Sequence, residues 1–158
     1  MTAGDVPAAA SVGAEVGWPG REDRFGFYVR HPFCEALAAE VGGEVAGVGF
    51  GTRSGTRSGA VGWIGLVCVR PRYQGRGIGH ALTGRVAERL EGLGCRTLVL
   101  TATETGRPLY EKMGFETETY YPSTTVSPGR GSVRNRPYRV CDGCVRETST
   151  PSASSTAA

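Results

Sequence analysis

The 158-residue chain predicts an α/β fold: a mixed central β-sheet with helices against it. Three observations carry that expectation. Val61 to Val69 is an apolar, β-branched run that stops at Arg70-Pro71, where proline ends a ladder. A glycine-rich loop and an amphipathic helical pattern follow it directly. A second buried-looking strand, Cys95 to Thr101, comes after that helix. Strand, helix and strand thus follow one another.

The elements are read in order. Residues 1–17 are rich in Ala, Gly and Val without a clear period, and they read as a loose lead-in. Trp18, Phe25, Tyr28 and Val29 recur at rough helical spacing, so 18–30 reads as a short helix weakened by Gly20 and Gly26. Cys34–Val41, Gly42-Gly43 and Glu44–Thr52 read as a hairpin with a two-residue turn. GTRS occurs twice in tandem at 51–58, a duplicated loop. After the strand at 61–69, Ile78, Leu82, Val86 and Leu90 fall at i, i+4, i+8 and i+12. Arg85, Glu88, Arg89 and Glu91 take the opposite face of this helix, and Gly92 and Gly94 end it. Pro108 to Met113 is a short helix with Gly114 as its C-terminal cap, and a last strand runs from Phe115 to about Tyr121. The organisation expected is thus a lead-in at 1–17, one domain at 18–121 and a disordered basic tail rich in Ser, Thr and Pro at 122–158.

Composition excludes several function classes. Glycine is 25 of 158 residues, against a usual ~7%, yet no G-X-Y period accompanies it, so collagen is out. No apolar run reaches the ~18 residues of a membrane helix, and no secretory signal is visible, so a cytoplasmic protein without a membrane partner is expected. The tail holds five Arg against Asp142 and Glu147, which leaves 13 basic and 13 acidic side chains before it. A neutral body argues against nucleic acid as a partner. The five cysteines, an odd number, read as reduced thiols; Cys34, Cys68 and Cys95 sit among apolar residues. Cys141-Asp-Gly-Cys144 has half a zinc spacing and no second pair, so no metal is expected.

The chemistry is read from the glycine loop. A helix N-terminus presents amides without internal partners and a favourable dipole to an anion, and glycines let the backbone approach it. The Walker pattern fails, because the single Lys, Lys112, is elsewhere. The dinucleotide fingerprint G-x-G-x-x-G fails in both registers, at His80 and at Leu82. The pattern Q-x-x-G-x-G fits Gln74, Gly77 and Gly79.

Two blocks then carry a family resemblance: V-R-P-R-Y-Q-G-R-G-I-G-H-A-L from Val69 to Leu82, and R-P-L-Y-E-K-M-G-F from Arg107 to Phe115. With them the chain resembles the GNAT superfamily of acetyl-CoA-dependent N-acetyltransferases over about residues 18–121. The resemblance implies acetyl-CoA as cosubstrate, with its pantetheine arm between splayed strands at 61–69 and 95–101. Its implied contacts are the backbones of Val67 and Val69 and the loop Gln74, Gly75, Arg76, Gly77, Ile78, Gly79 and His80. Tyr110 stands where the family's usual general acid stands, and a backbone N–H near Val67 is the implied oxyanion donor. Thr103 takes a position often held by Asn and is expected to meet a pantetheine amide or a water. The acceptor implied is a primary amine on a small molecule or peptide. The family often places a Glu on the strand before the loop. Here Trp63–Val69 holds no carboxylate, which leaves Glu35, His31, Glu104 or a water chain as the base. Trp63 and Phe50 are expected in the core. Relatives usually begin with a strand and a helix that residues 1–17 do not resemble, so a late start is expected, and with it a rival reading: a non-catalytic remnant that binds acyl-CoA or a partner.

Overall fold

In a computed structural model of the chain, residues 1–55, 60–118, 121–122 and 139–147 are described. Four helices and seven strands follow in order: α1 (Val6–Glu15), α2 (Glu22–Arg30), β1 (Cys34–Val41), β2 (Glu44–Ser54), β3 (Ala60–Val69), α3 (Ile78–Gly92), β4 (Cys95–Ala102), α4 (Arg107–Lys112), β5 (Glu116–Thr117), β6 (Tyr121–Pro122) and β7 (Arg139–Glu147). The sheet order is β1-β2-β3-β4-β7-β5, with β6 beside β7. Among the described residues only the β3–β4 pair is parallel and the other pairs are antiparallel, so the mixed sheet expected from the sequence is present. Gly42 and Gly43, at φ 60° and 80°, make the β1–β2 turn, as a two-residue hairpin of this twist requires.

The helices form two layers. On one face α3 packs with α4, burying Ile64, Val86, Leu90, Leu98, Leu100, Tyr110 and Phe115. On the other, α1 and α2 cover Val48, Phe50 and Cys68. There Phe25 stacks on Phe50 with ring centroids 5.1 Å apart, and Tyr28 tilts onto the same ring at 4.9 Å. Each such pair adds about 0.5–1.5 kcal/mol beyond its burial.

Gly47, Gly49, Gly51 and Gly62 lie beneath α3. Cβ atoms at Gly47, Gly51 and Gly62 would come within 2.9 Å of the Cys68 carbonyl oxygen, 2.6 Å of Val86 Cγ1 and 2.7 Å of Leu98 Cδ2, respectively. The helix therefore rests almost on the backbone of β2 and β3.

Two readings of the chain ends are corrected. Residues 1–17 are not a loose lead-in. Val6–Glu15 is helix, with Ala9, Ala10 and Val12 buried, and the Met1 ammonium donates to the Ala36 carbonyl at 3.0 Å. Small side chains suit this site because α1 and α2 cross closely: a Cβ at Gly13 would lie 3.2 Å from Phe25 Cζ. The tail read as disordered contains β7, which pairs with β4 from Thr97↔Glu147 to Ala102↔Cys141. That pairing satisfies backbone groups on the β4 edge that would otherwise lie open. Residues 123–138 and 148–158, also read as disordered, lie outside the described residues, as do 56–59 of the tandem loop. The last strand is shorter than expected, Glu116–Thr117, and Tyr121–Pro122 pairs separately with β7. Among the described residues no helix is long and apolar enough to cross a membrane.

Candidate active site

The parallel pair opens partway along. The β3–β4 register runs from Ala60↔Cys95 to Ile64↔Leu100 and stops. Beyond it Thr101 and Ala102 pair with β7, while Gly65, Cys68 and Val69 pair with Phe50, Val48 and Gly47 of β2. A wedge is left between Gly65–Val69 and the end of β4, the place that the family resemblance implies for a pantetheine arm.

β3 carries a bulge at the wedge. Its register against β2 shifts between Val48 and Phe50, and Leu66 has φ 51°. A bulky residue in the left-handed region costs about 1–2 kcal/mol, so the surrounding packing has to impose it. The consequence is visible in the packing. Leu66 joins the α1–α2 cluster and Val67 the α3–α4 cluster. Without the bulge, strict alternation would give each the opposite face.

The loop between β3 and α3 begins with a 3-10 turn at Pro71–Tyr73. Gln74 Nε2 donates to the Val69 carbonyl at 2.9 Å and ties the loop to the strand end. Gly75 and Gly77 have φ 73° and 81°, and a Cβ on either would meet nothing within 4 Å, so both glycines face open space. No side chain caps α3, and its first backbone bond is Ala81 N–H to the Gly77 carbonyl at 3.0 Å. The amides of Ile78, Gly79 and His80 precede that bond, at the positive end of the helix dipole. These features fit a pyrophosphate. Gly79 does more than donate an amide: a Cβ there would stand 3.3 Å from Leu109 Cδ2, so its bareness lets α4 close on α3.

A side-chain relay, unread in the sequence, braces the loop. Glu44 at the start of β2 pairs with Arg72 and accepts from Tyr73 Oη at 2.9 Å. Arg72 and Arg76 both lie over the Tyr73 ring, at 5.2 and 5.5 Å from its centroid. The arginine and the tyrosine hold the Glu44 carboxyl below the usual carboxylate range. The buried Arg70 pairs with Glu15 of α1 and donates through Nε to the Val45 carbonyl at 2.8 Å.

Tyr110 lies on α4 in the cluster that also takes Val67, with its ring edge-on to Phe115 at 6.1 Å. The structure thus gathers Tyr110, Val67 and, through Leu109, the start of α3. Thr103 Oγ1 accepts from the Gly106 amide at 3.2 Å and so shapes the turn into α4. That hydroxyl and Tyr110 Cε2 both lie 3.3 Å from the place a Gly106 Cβ would occupy. The proposed bases are scattered. Glu35 faces α3 and pairs with Arg89 at 3.0 Å, which takes it out of the wedge. His31 lies between the rings of Phe27 and Phe33, at 4.8 and 5.7 Å, and Glu104 is exposed on the β4–α4 turn. Phe50 is in the core as expected. Trp63 is not: it is 39% exposed.

Residues 12–115 match the family described as "Acetyltransferase (GNAT) family". The chain belongs to this family. Its GNAT fold is also that of the ribosomal-protein-S18-alanine N-acetyltransferase from Escherichia coli. The TM-score is 0.72 at 20% identity, over 98% of this chain and 94% of that one. A Mycobacterium tuberculosis protein solved in complex with CoA aligns at TM-score 0.59 and 24% identity, over 81% of this chain and 74% of that chain. In sequence, this GNAT chain is 44% identical over 56 residues to a glucosamine 6-phosphate N-acetyltransferase of Trypanosoma brucei brucei. That stretch is 35% of this chain and 38% of the relative's length.

Proposed function

We propose that the protein transfers the acetyl group of acetyl-CoA to a primary amine by direct attack. The observation that carries this reading is the wedge: two parallel strands part after Ile64 and Leu100, beside an uncapped helix N-terminus. A relative of the same fold solved with CoA supports the choice of cosubstrate.

Each group then has a task. The amides of the loop from Gln74 to His80 hold the pyrophosphate. The backbones of Val67 and Val69 hold the pantetheine arm, and Thr103 meets one of its amides or a water. The acceptor nitrogen bonds to the thioester carbon, and the Val67 N–H donates to the oxygen that gains charge. The carbon–sulfur bond breaks, the acceptor nitrogen gives up a proton, and Tyr110 supplies one to the sulfur. A phenol near pKa ~10 can protonate a thiolate near ~8.5 only if the phenol is acidified once the cosubstrate is bound. No carboxylate stands on β3, so the amine's proton leaves through water.

Free thiol release tests this reading. Acetyl-CoA and a panel of primary amines should give thiol in proportion to acetylated amine. CoA binding without thiol release from any amine would support a binding remnant instead.

A further inference from the structure

Arg70 is a buried cation that the proposed reaction does not use. It stands where β3 ends and the loop begins. Its N–H donates to the Ala46 carbonyl at 2.9 Å. Its carbonyl accepts the Tyr73 N–H at 2.9 Å, which closes the first turn of the loop. The side chain reaches further. Nε donates to the Val45 carbonyl at 2.8 Å and lies 3.6 Å from Glu44 Oε1. One terminal nitrogen pairs with Glu15, and the other donates to Ser11 Oγ at 3.3 Å. One residue thus joins α1, the start of β2 and the loop.

The sequence of α1 makes this junction specific. Ser11 and Glu15 are the only polar side chains in Val6–Glu15; they stand one turn apart, and both meet Arg70. Glu15 is also the only charge of that helix, and it lies in the last turn, where the dipole disfavours an anion. Arg70 supplies the cation that offsets it. The Glu15 side chain is 35% exposed against 8% for Arg70, so water could solvate the carboxylate without an arginine. A salt bridge this open adds little stability. What the arginine adds is direction: its planar fork holds donors at fixed angles, so its bonds to α1 and β2 fix one orientation at the strand end. Amides serve an anion only when held to within about 0.5 Å, and the turn that leads to them hangs from the Arg70 carbonyl.

We infer that Arg70 is a positioning residue that ties the loop to α1, so that docking of α1 and binding of the cosubstrate reinforce each other. The helix layer on the face away from α3 then bears on the loop that leads into α3. The inference rests on the CoA binding proposed above, and the experiment separates the two.

Calorimetry with CoA gives Kd, and thiol release at saturating acetyl-CoA gives kcat. Arg70→Met keeps the length and apolar stem of the side chain and removes its directional bonds. Its Kd should rise about tenfold, the scale of one misplaced hydrogen bond to a charged group, while kcat holds within about twofold. Arg70→Lys restores a charge beside Glu15 without the fork, and it should recover only part of the loss. Leu98→Val, in the core of β4, lowers the melting temperature without touching the junction and should leave Kd unmoved. An unmoved Kd in Arg70→Met, or an equal rise in Leu98→Val, overturns the inference. Reciprocity gives a second readout: CoA should slow amide exchange at residues 10–15 of α1 in the wild type and not in Arg70→Met. Equal slowing in both proteins overturns the coupling. If the wild type binds CoA but no amine yields thiol, acetyl transfer fails and the Kd comparison still decides the role of Arg70. A wild type that binds no CoA overturns both.

Discussion

Replacing Tyr110 by Phe is the sharpest test of the proposed acid. The ring is almost wholly buried, 9% exposed, and packs edge-on against Phe115 at 6.1 Å. Phenylalanine keeps that packing and the cluster with Val67, Leu109 and Met113, so the substitution removes one hydroxyl and little else. The stability cost is that of a single hydrogen-bonding group, about 1 kcal/mol. Affinity for acetyl-CoA should hold within a few-fold, because the loop amides and the β3 backbone are untouched. Turnover should fall by roughly 10²-fold or more, which at 1.36 kcal/mol per decade is about 3 kcal/mol of transition-state stabilisation. Stopped-flow detection of free thiol gives the rate. Acyl donors with a more acidic leaving thiol should lose less, since their thiolate departs without a proton. A uniform loss across donors would mean that the ring's position matters and the proton does not. Wild-type turnover on acetyl-CoA would refute the assignment.

Other outcomes follow from the fold. Glu44→Ala should raise the Kd for CoA several-fold by releasing Tyr73 and Arg72, measurable by calorimetry. It should also flatten the acid side of the stability profile: the lowered pKa of Glu44 means that its contribution is full above about pH 4.5 and lost as pH falls further. An unchanged profile would show that the relay does not brace the loop. The Cys68 thiol, pushed up to about 12 by burial, should resist iodoacetamide at pH 8 in the native protein, with a thiolate fraction on the order of 10⁻⁴. Rapid labelling at Cys68, read by mass spectrometry, would show that α1 does not cover it. Deleting residues 123–158 strips β7 from β4 and should lower the melting temperature by several degrees; an unmoved midpoint would mean that β7 adds nothing to the sheet.

What the sequence shows and hides follows from where the contrast lies. β3 and α3 are legible because Val61–Val69 is continuously apolar and Ile78, Leu82, Val86 and Leu90 repeat at four. The loop is legible because only glycine takes the φ of Gly75 and Gly77 cheaply. α1 escapes notice because a run of Ala, Gly and Val, broken only by Pro7, Ser11 and Glu15, sets little polar contrast against its buried side. β7 escapes because its place is set by an edge that β4 offers, while its own residues hardly alternate. Nothing local marks Leu66 as the bulge, and Trp63 reads as core because tryptophan on an apolar strand usually is.

The bare backbone beneath α3 makes the helix a lever. Gly47 lies under Ile78 and Leu82 at its front, and Gly51 under Val86 and Leu90 toward its rear. A methyl group at the rear acts as a shim: it lifts that end and pitches the front amides relative to the wedge they serve. Alanine at Gly51 should then register in CoA affinity, although it stands two helical turns from the nearest loop residue. The glycines that thin this layer set the aim of the site as much as they set its stability.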